Sequence, residues 1–202
     1  MKFPFLTSVL LFCGVLAYTI KRSNARREDE EEEFWERERQ ANATRRKSLD
    51  GLDYISVPIE SLPVSLHTDD ETIMEYINTL TDLSSVPIVN LTGYSNTDLK
   101  LEYGAPNIDL LSLYDQRYTT LVSTLQRWAD KLDEYGETEA VKTILEFAVS
   151  TRSDVSKSYK RLASIYNAEG NIEAIQKLLP IAQSLKSPMK DSIIKAINSQ
   201  LN

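Results

Sequence analysis

One cysteine and one histidine stand in 202 residues, and that scarcity removes several chemistries at once. Cys13 has no partner for an intrachain disulfide and cannot build a cysteine-ligated metal site by itself. His67 has no second histidine or nearby cysteine, so the zinc-type Cys/His clusters are excluded, and a lone histidine reads as a surface residue. The G-x-S-x-G elbow, the P-loop and the Rossmann glycine pattern are all missing. Asp69, Asp70 and Glu71 make a carboxylate cluster, but a helix start explains them through its dipole and cap. The expectation is therefore no enzyme, with no catalytic residue, no metal ligand and no cofactor.

Positive charge is also in short supply after the first quarter of the chain. Residues 1 to 49 hold ten Lys or Arg against eight Asp or Glu, and the remainder holds 13 against 22, a balance of −9. Nucleic-acid affinity comes largely from neutralised phosphates, so no nucleic-acid partner is expected for this acidic region.

What is present begins with an uncharged run, FPFLTSVLLFCGVLAYTI, over residues 3 to 20. As a helix it would span roughly 27 Å, close to the ~30 Å hydrocarbon core of a bilayer. Two readings meet here. Lys2 before the run, with Val15 and Ala17 near its end, suits a cleaved secretory signal and an exported binding protein. Lys21, Arg22, Arg26 and Arg27 directly after it favour a retained anchor with the bulk of the chain on the cytoplasmic side. Residues 21 to 49 follow as a charge-blocked stalk, read as a solvated helical or disordered spacer. Arg26 with Glu30, Arg27 with Glu31 and Glu33 with Arg37 are spaced to pair across one helical turn. Beyond Phe34 and Trp35 the stalk has no apolar stripe with which to pack a core.

Residues 50 to 118 read as the N-terminal part of a soluble domain. Prolines 58 and 63 predict extended chain, and SVPI occurs at both 56–59 and 85–88. Thr68 and Glu71 predict a capping box for a helix reaching about Leu83. Asn96 is placed to cap a short helix ended by Gly104, and a further pattern starts at Ile108. This middle region is similar to uncharacterised membrane-anchored bacterial proteins, a resemblance that brings no activity with it.

Residues 122 to 189 then repeat at a period of 34. Trp128 returns as Leu162, Ala129 as Ala163, Leu132 as Tyr166 and Gly136 as Gly170. Ala140 returns as Ala174, Val141 as Ile175, Leu145 as Leu179 and Ala148 as Ala182. A 34-residue period with a glycine between two helical patterns resembles the tetratricopeptide repeat (TPR), over residues 119–202. The fold class expected is mostly α: a transmembrane helix (1–20), the stalk (21–49), the segment 50–118, and TPR-like repeats with a C-terminal capping helix (119–202). Pro180 predicts a kink or early end in the last repeat helix, at a cost of ~3 kcal/mol if the helix stayed straight.

The resemblance implies a concave protein-binding face on the first helix of each repeat: Gln126, Asp130, Asp133, Lys157, Lys160, Ser164 and Asn167. It implies a protein or peptide partner, or self-association as a homo-oligomer, and the lysines with Asn167 suit a carboxylate-bearing peptide. The function expected is a membrane-anchored adaptor or scaffold, with a regulatory subunit of a membrane enzyme as a reading that differs only in partner.

Overall fold

Apolar residues three and four apart, punctuated by glycines and by Asp, Ser and Asn caps, give the chain eight α-helices among its described residues. In the computed structural model these are α1 (Pro4–Ala43), α2 (Glu71–Ser84), α3 (Asn96–Tyr103), α4 (Ile108–Glu134), α5 (Thr138–Ser150), α6 (Ser156–Ala168), α7 (Ile172–Ser184) and α8 (Lys190–Asn198). The structure describes residues 4–201, and the side chains of 4–7, 10, 25 and 26 lie outside that description. Among the described residues there is no strand. The two extended segments that contain SVPI meet in a single antiparallel bridge, Tyr54 with Val89, where the Ile55 N–H donates to the Ile88 carbonyl at 2.9 Å.

The chain divides into two compact units, Met1–Lys47 with Ser95–Ile108, and Ser48–Tyr94 with Asp109–Asn202. In the first, α1 runs unbroken through the stalk, which settles the choice between helix and disorder for residues 21–43. Its last turns are clasped by α3. Arg37 pairs with Asp98 at 2.5 Å, Glu38 accepts from Thr97 and from Lys100 (3.2 Å), and Asn42 accepts from Lys100 at 2.9 Å. Ala41 is fully buried there, so the stalk does contribute a packed residue, contrary to the sequence expectation. An alanine suffices because two helices approach closely. Gly104 ends α3 at φ 95°, and a Cβ at that position would collide with the Arg45 carbonyl. The cap of α3 is Ser95 rather than Asn96, with Ser95 and Asp98 bonding each other's backbone reciprocally. Arg37 turns to Asp98 and Glu31 accepts from Trp35, so the expected pairs of Glu33 with Arg37 and Arg27 with Glu31 do not form. The pair expected of Arg26 lies outside the described side chains.

Among the described residues, no helix is long and apolar enough to cross a membrane. The run 3–20 begins in residues outside that description, so the expected span is in part not covered by it.

The second unit has one continuous core, drawing Val57 and Leu62 from the extended segment, Ile73, Ile77 and Leu80 from α2, then residues of α4 to α8. α2 starts two residues later than a Thr68 cap would place it. Asp70 is the cap, its carboxylate accepting from the backbone N–H of Thr72 (2.8 Å) and Ile73 (3.2 Å). α4 and α5 form one helical hairpin and α6 and α7 another, and the two turns share their closing bonds. Glu137 N–H donates to the Leu132 carbonyl at 3.1 Å, and Asn171 N–H to the Tyr166 carbonyl at 2.8 Å. Gly136 and Gly170 sit between at φ 79° and 70°, the left-handed conformation that closes a helix C-terminus at low steric cost. Equivalent positions share their burial: Trp128 with Leu162, Ala129 with Ala163, Val141 with Ile175, and Ala148 with Ala182 are all inside.

Two expectations change. α4 is a single 27-residue helix that starts eleven residues before the repeat region at 119–202. α7 continues through Pro180 to Ser184, so of the kink or early end expected there, the early end does not occur. Pro180 and Gln176, whose carbonyl loses its N–H partner, are both on the exposed side, where water can take the bond. α8 packs on α6 and α7 and buries Ile193 and Ile197 completely, as a cap over the second hairpin should.

Two outcomes follow from this packing. A fragment of residues 119–202 would cut α4 and strip Ile73, Ile77 and Leu80 from the core, so it should aggregate or melt without cooperativity. A soluble fragment with a sharp calorimetric transition would contradict this. In the first unit, the Asp98 carboxyl is held down to about 2 from 3.8, chiefly by the Ser95 hydroxyl and N–H and then by Arg37. A depressed carboxyl stabilises fully above its unfolded value and loses that contribution as pH falls through its folded value. Protection of the α3 amides, corrected for intrinsic exchange, should therefore drop between about pH 4 and 2, and Asp98→Asn should show the low protection at both ends.

Candidate protein-binding face

The first helices of the two hairpins lie side by side, and their polar residues reach across to one another. The Ser158 hydroxyl donates to Gln126 at 2.6 Å, and Gln126 donates in turn to Asp130 at 2.7 Å. Lys157 pairs with the other oxygen of Asp130 at 2.7 Å, and Arg161 with Asp133 at 2.5 Å. Further along, Asn167 donates to Gln200 at 3.3 Å, tying α6 to the turn after α8. Five of the seven residues expected on the face, Gln126, Asp130, Asp133, Lys157 and Asn167, are therefore brought into contacts within the chain. Lys160 and Ser164 have no side-chain partner among the described residues; Lys160 is exposed and Ser164 half-buried.

Sequence reasoning missed Ser158 and Arg161, the partners that complete this ladder. Separations of 27, 28 and 32 residues recur between the bonded pairs. A 34-residue repeat sets neighbouring first helices side by side, and a partner then sits a turn or two short of the full period. That signal was available in the spacing, but only after choosing which side of α6 faces α4.

Elsewhere the hairpins are tied on their outer side. Lys142 of α5 bridges Glu139 and Glu169, each at 2.7 Å, and these hydrogen bonds raise its pKa well above the usual lysine range. Tyr166 donates to Glu146 at 2.6 Å, and burial is the main cause of its raised pKa. Tyr118 and Tyr159 are pushed up by burial as well, and the Tyr159 hydroxyl has no hydrogen-bond partner among the described residues.

The lone histidine is not an ordinary surface residue. His67 has φ 50°, stacks on Tyr135 at 4.1 Å with planes 12° apart, and lies 3.0 Å from Glu137. Tyr135 donates to Asp70 at 2.8 Å, which lowers the Asp70 carboxyl, while Lys131 approaches the same carboxylate at 3.6 Å. These contacts pin the start of α2 to the α4–α5 turn. Asp70 is thus a helix cap and an anchor for Tyr135, and among the described residues no group of three or more His, Cys, Asp or Glu is placed to hold a metal ion.

No family model matches this chain, and no curated protein or solved structure matches it.

The ladder is half exposed, and exposed pairs contribute little, so double-mutant cycles on Asp130 with Lys157 and Asp133 with Arg161 should give couplings of about 1 kcal/mol or less, weakened by salt. Couplings well above that, unaffected by salt, would show that the rungs hold the hairpins together.

Proposed function

We propose that this protein is a membrane-anchored adaptor or scaffold that binds another protein through a small TPR-like helical domain. The observation that supports it most is the correspondence of the two hairpins at 34 residues, in turn bonds, left-handed glycines and buried positions together. A stack of helical hairpins presents its first helices along one continuous face, which suits an extended segment of a partner. Because Asp130 and Asp133 neutralise Lys157 and Arg161, that face carries Lys160, exposed and without an ion-pair partner among the described residues, rather than a basic clamp. A partner with one carboxylate and otherwise neutral polar contacts fits it better than a strongly acidic peptide.

The anchor reading draws on α1. Its apolar side chains Leu11, Phe12, Val15, Tyr18 and Ile20 are all exposed, a burden for a helix in water and the normal state of one in lipid. α1 also runs straight through Ala17, where an exported chain would be cut. The basic flank puts the helical domain on the cytoplasmic side.

Photo-crosslinking in intact cells tests both parts. A crosslinker at Lys160 should capture a discrete protein, while one at Lys177, exposed on the second helix of its hairpin, should not. Equal capture from both positions, or none, would sink the binding-face reading. C-terminal fusions to a fluorescent protein that matures only in the cytoplasm and to an export-dependent phosphatase report the topology, and phosphatase activity would reverse it.

A further inference from the structure

The side chains of α1 are layered along its axis rather than divided between faces. At 100° per residue, exposed Val9, Leu11, Phe12, Val15, Leu16, Tyr18 and Ile20, with small Cys13, Gly14 and Ala17 between them, leave no polar side on that stretch. Lys21, Arg22 and Arg27 come next, at about 0°, 100° and 240° round the axis. Residues 28 to 33, all acidic, circle the helix once more. A surface that met α1 from one side, a protein groove or a nucleic acid, would call for a stripe. Rings call for an environment that changes along the helix.

Lys21, Arg22 and Arg27 are exposed and make no ion pair among the described residues, whereas nine of the 18 Lys and Arg further along the chain do. Arg27 stands about 10 Å beyond Ile20 and the acidic block about 12 to 20 Å beyond it. With a screening length of about 8–10 Å, a charged plane at the end of the apolar segment acts most strongly on Lys21 and Arg22 and falls off through Arg27 and along the acidic block. We infer that Lys21, Arg22 and Arg27 form a collar that binds anionic lipid headgroups around α1, so that the protein gathers acidic lipid at its point of insertion. This rests on the anchor reading. The acidic ring beyond the collar keeps the same helix from lying down along the charged surface.

The test uses the full chain with a fluorophore on Cys13, its one cysteine, reconstituted into vesicles of phosphatidylcholine and phosphatidylglycerol in equal parts. Energy transfer to a trace of acyl-labelled phosphatidylglycerol should exceed that to equally labelled phosphatidylcholine by about twofold or more at low salt. High salt should erase the difference for the unaltered chain, and the triple variant Lys21→Gln, Arg22→Gln, Arg27→Gln should erase it at low salt. Equal transfer to both lipids at low salt, in a chain that resists an alkaline carbonate wash, would overturn the collar and leave the anchor standing. Release of the unaltered chain by that wash would overturn the anchor and the collar with it.

Discussion

Two helical hairpins have more apolar surface than they can cover between themselves, and the second unit is arranged around that shortfall. Trp128, Leu125 and Leu132 of α4, Ile144 and Leu145 of α5, and Tyr159 and Leu162 of α6 have no accessible surface at all. About three stacked units are usually needed for such a core to close. Here the closure comes from elements outside the repeat. α2 and the extended segment before it add Val57, Leu62, Ile73, Ile77 and Leu80, and α8 adds Ile193 and Ile197. Truncating one of the large aromatics would cost about 3–5 kcal/mol, a sizeable part of the ~5–15 kcal/mol that holds a typical domain together. The polar contacts of His67, Tyr135 and Asp70 are worth less, but they fix where α2 begins against the α4–α5 turn.

The same magnitudes separate holding the hairpins from defining their outer face. The rungs between α4 and α6 are partly solvated, so they add little to stability. Their effect is to spend the charge of the first-helix face internally. A row that reads in sequence as two acids on one helix and two lysines on the next becomes, once folded, a nearly neutral strip with Lys160 left over. On the binding-face reading proposed above, recognition by such a strip would depend on shape and single hydrogen bonds more than on long-range attraction, which favours slow, selective association over electrostatic steering.

What the sequence revealed and what it hid follow one division. Periodicity and glycine placement were enough for the glycine turns between paired helices at Gly136 and Gly170 and for a capping helix at the C-terminal end. Features decided by long-range contacts were not. Asp70 outcompeted Thr68 as a cap because it also receives Tyr135, 65 residues away. Asp98 took Arg37 from Glu33 because Ser95 had already fixed its carboxylate. α4 ran on past the repeat because nothing between Ile108 and Glu134 breaks a helix, and Asp115 accepts the Leu91 N–H through its side chain. Of the seven face residues, the repeat gave the helices correctly, but not that five would be occupied by neighbours.

α1 shows how a helix announces its surroundings by the symmetry of its surface. Up to residue 33 its character changes only along the axis, from apolar to basic to acidic. At Arg37 it acquires a side, since Arg37, Glu38, Ala41 and Asn42 all meet α3. Seventeen residues separate Ile20 from Arg37, a rise of about 25 Å, more than twice the screening length. On the anchor reading, the clasp would form beyond the reach of a charged plane at Ile20, so the Asp98–Arg37 and Glu38–Lys100 pairs would keep their strength whatever the lipid composition. A shorter spacer would then bring those carboxylates into the negative field of the proposed collar's lipids. The length of the charged stretch is in this sense a requirement of the clasp as much as a spacer for the domain.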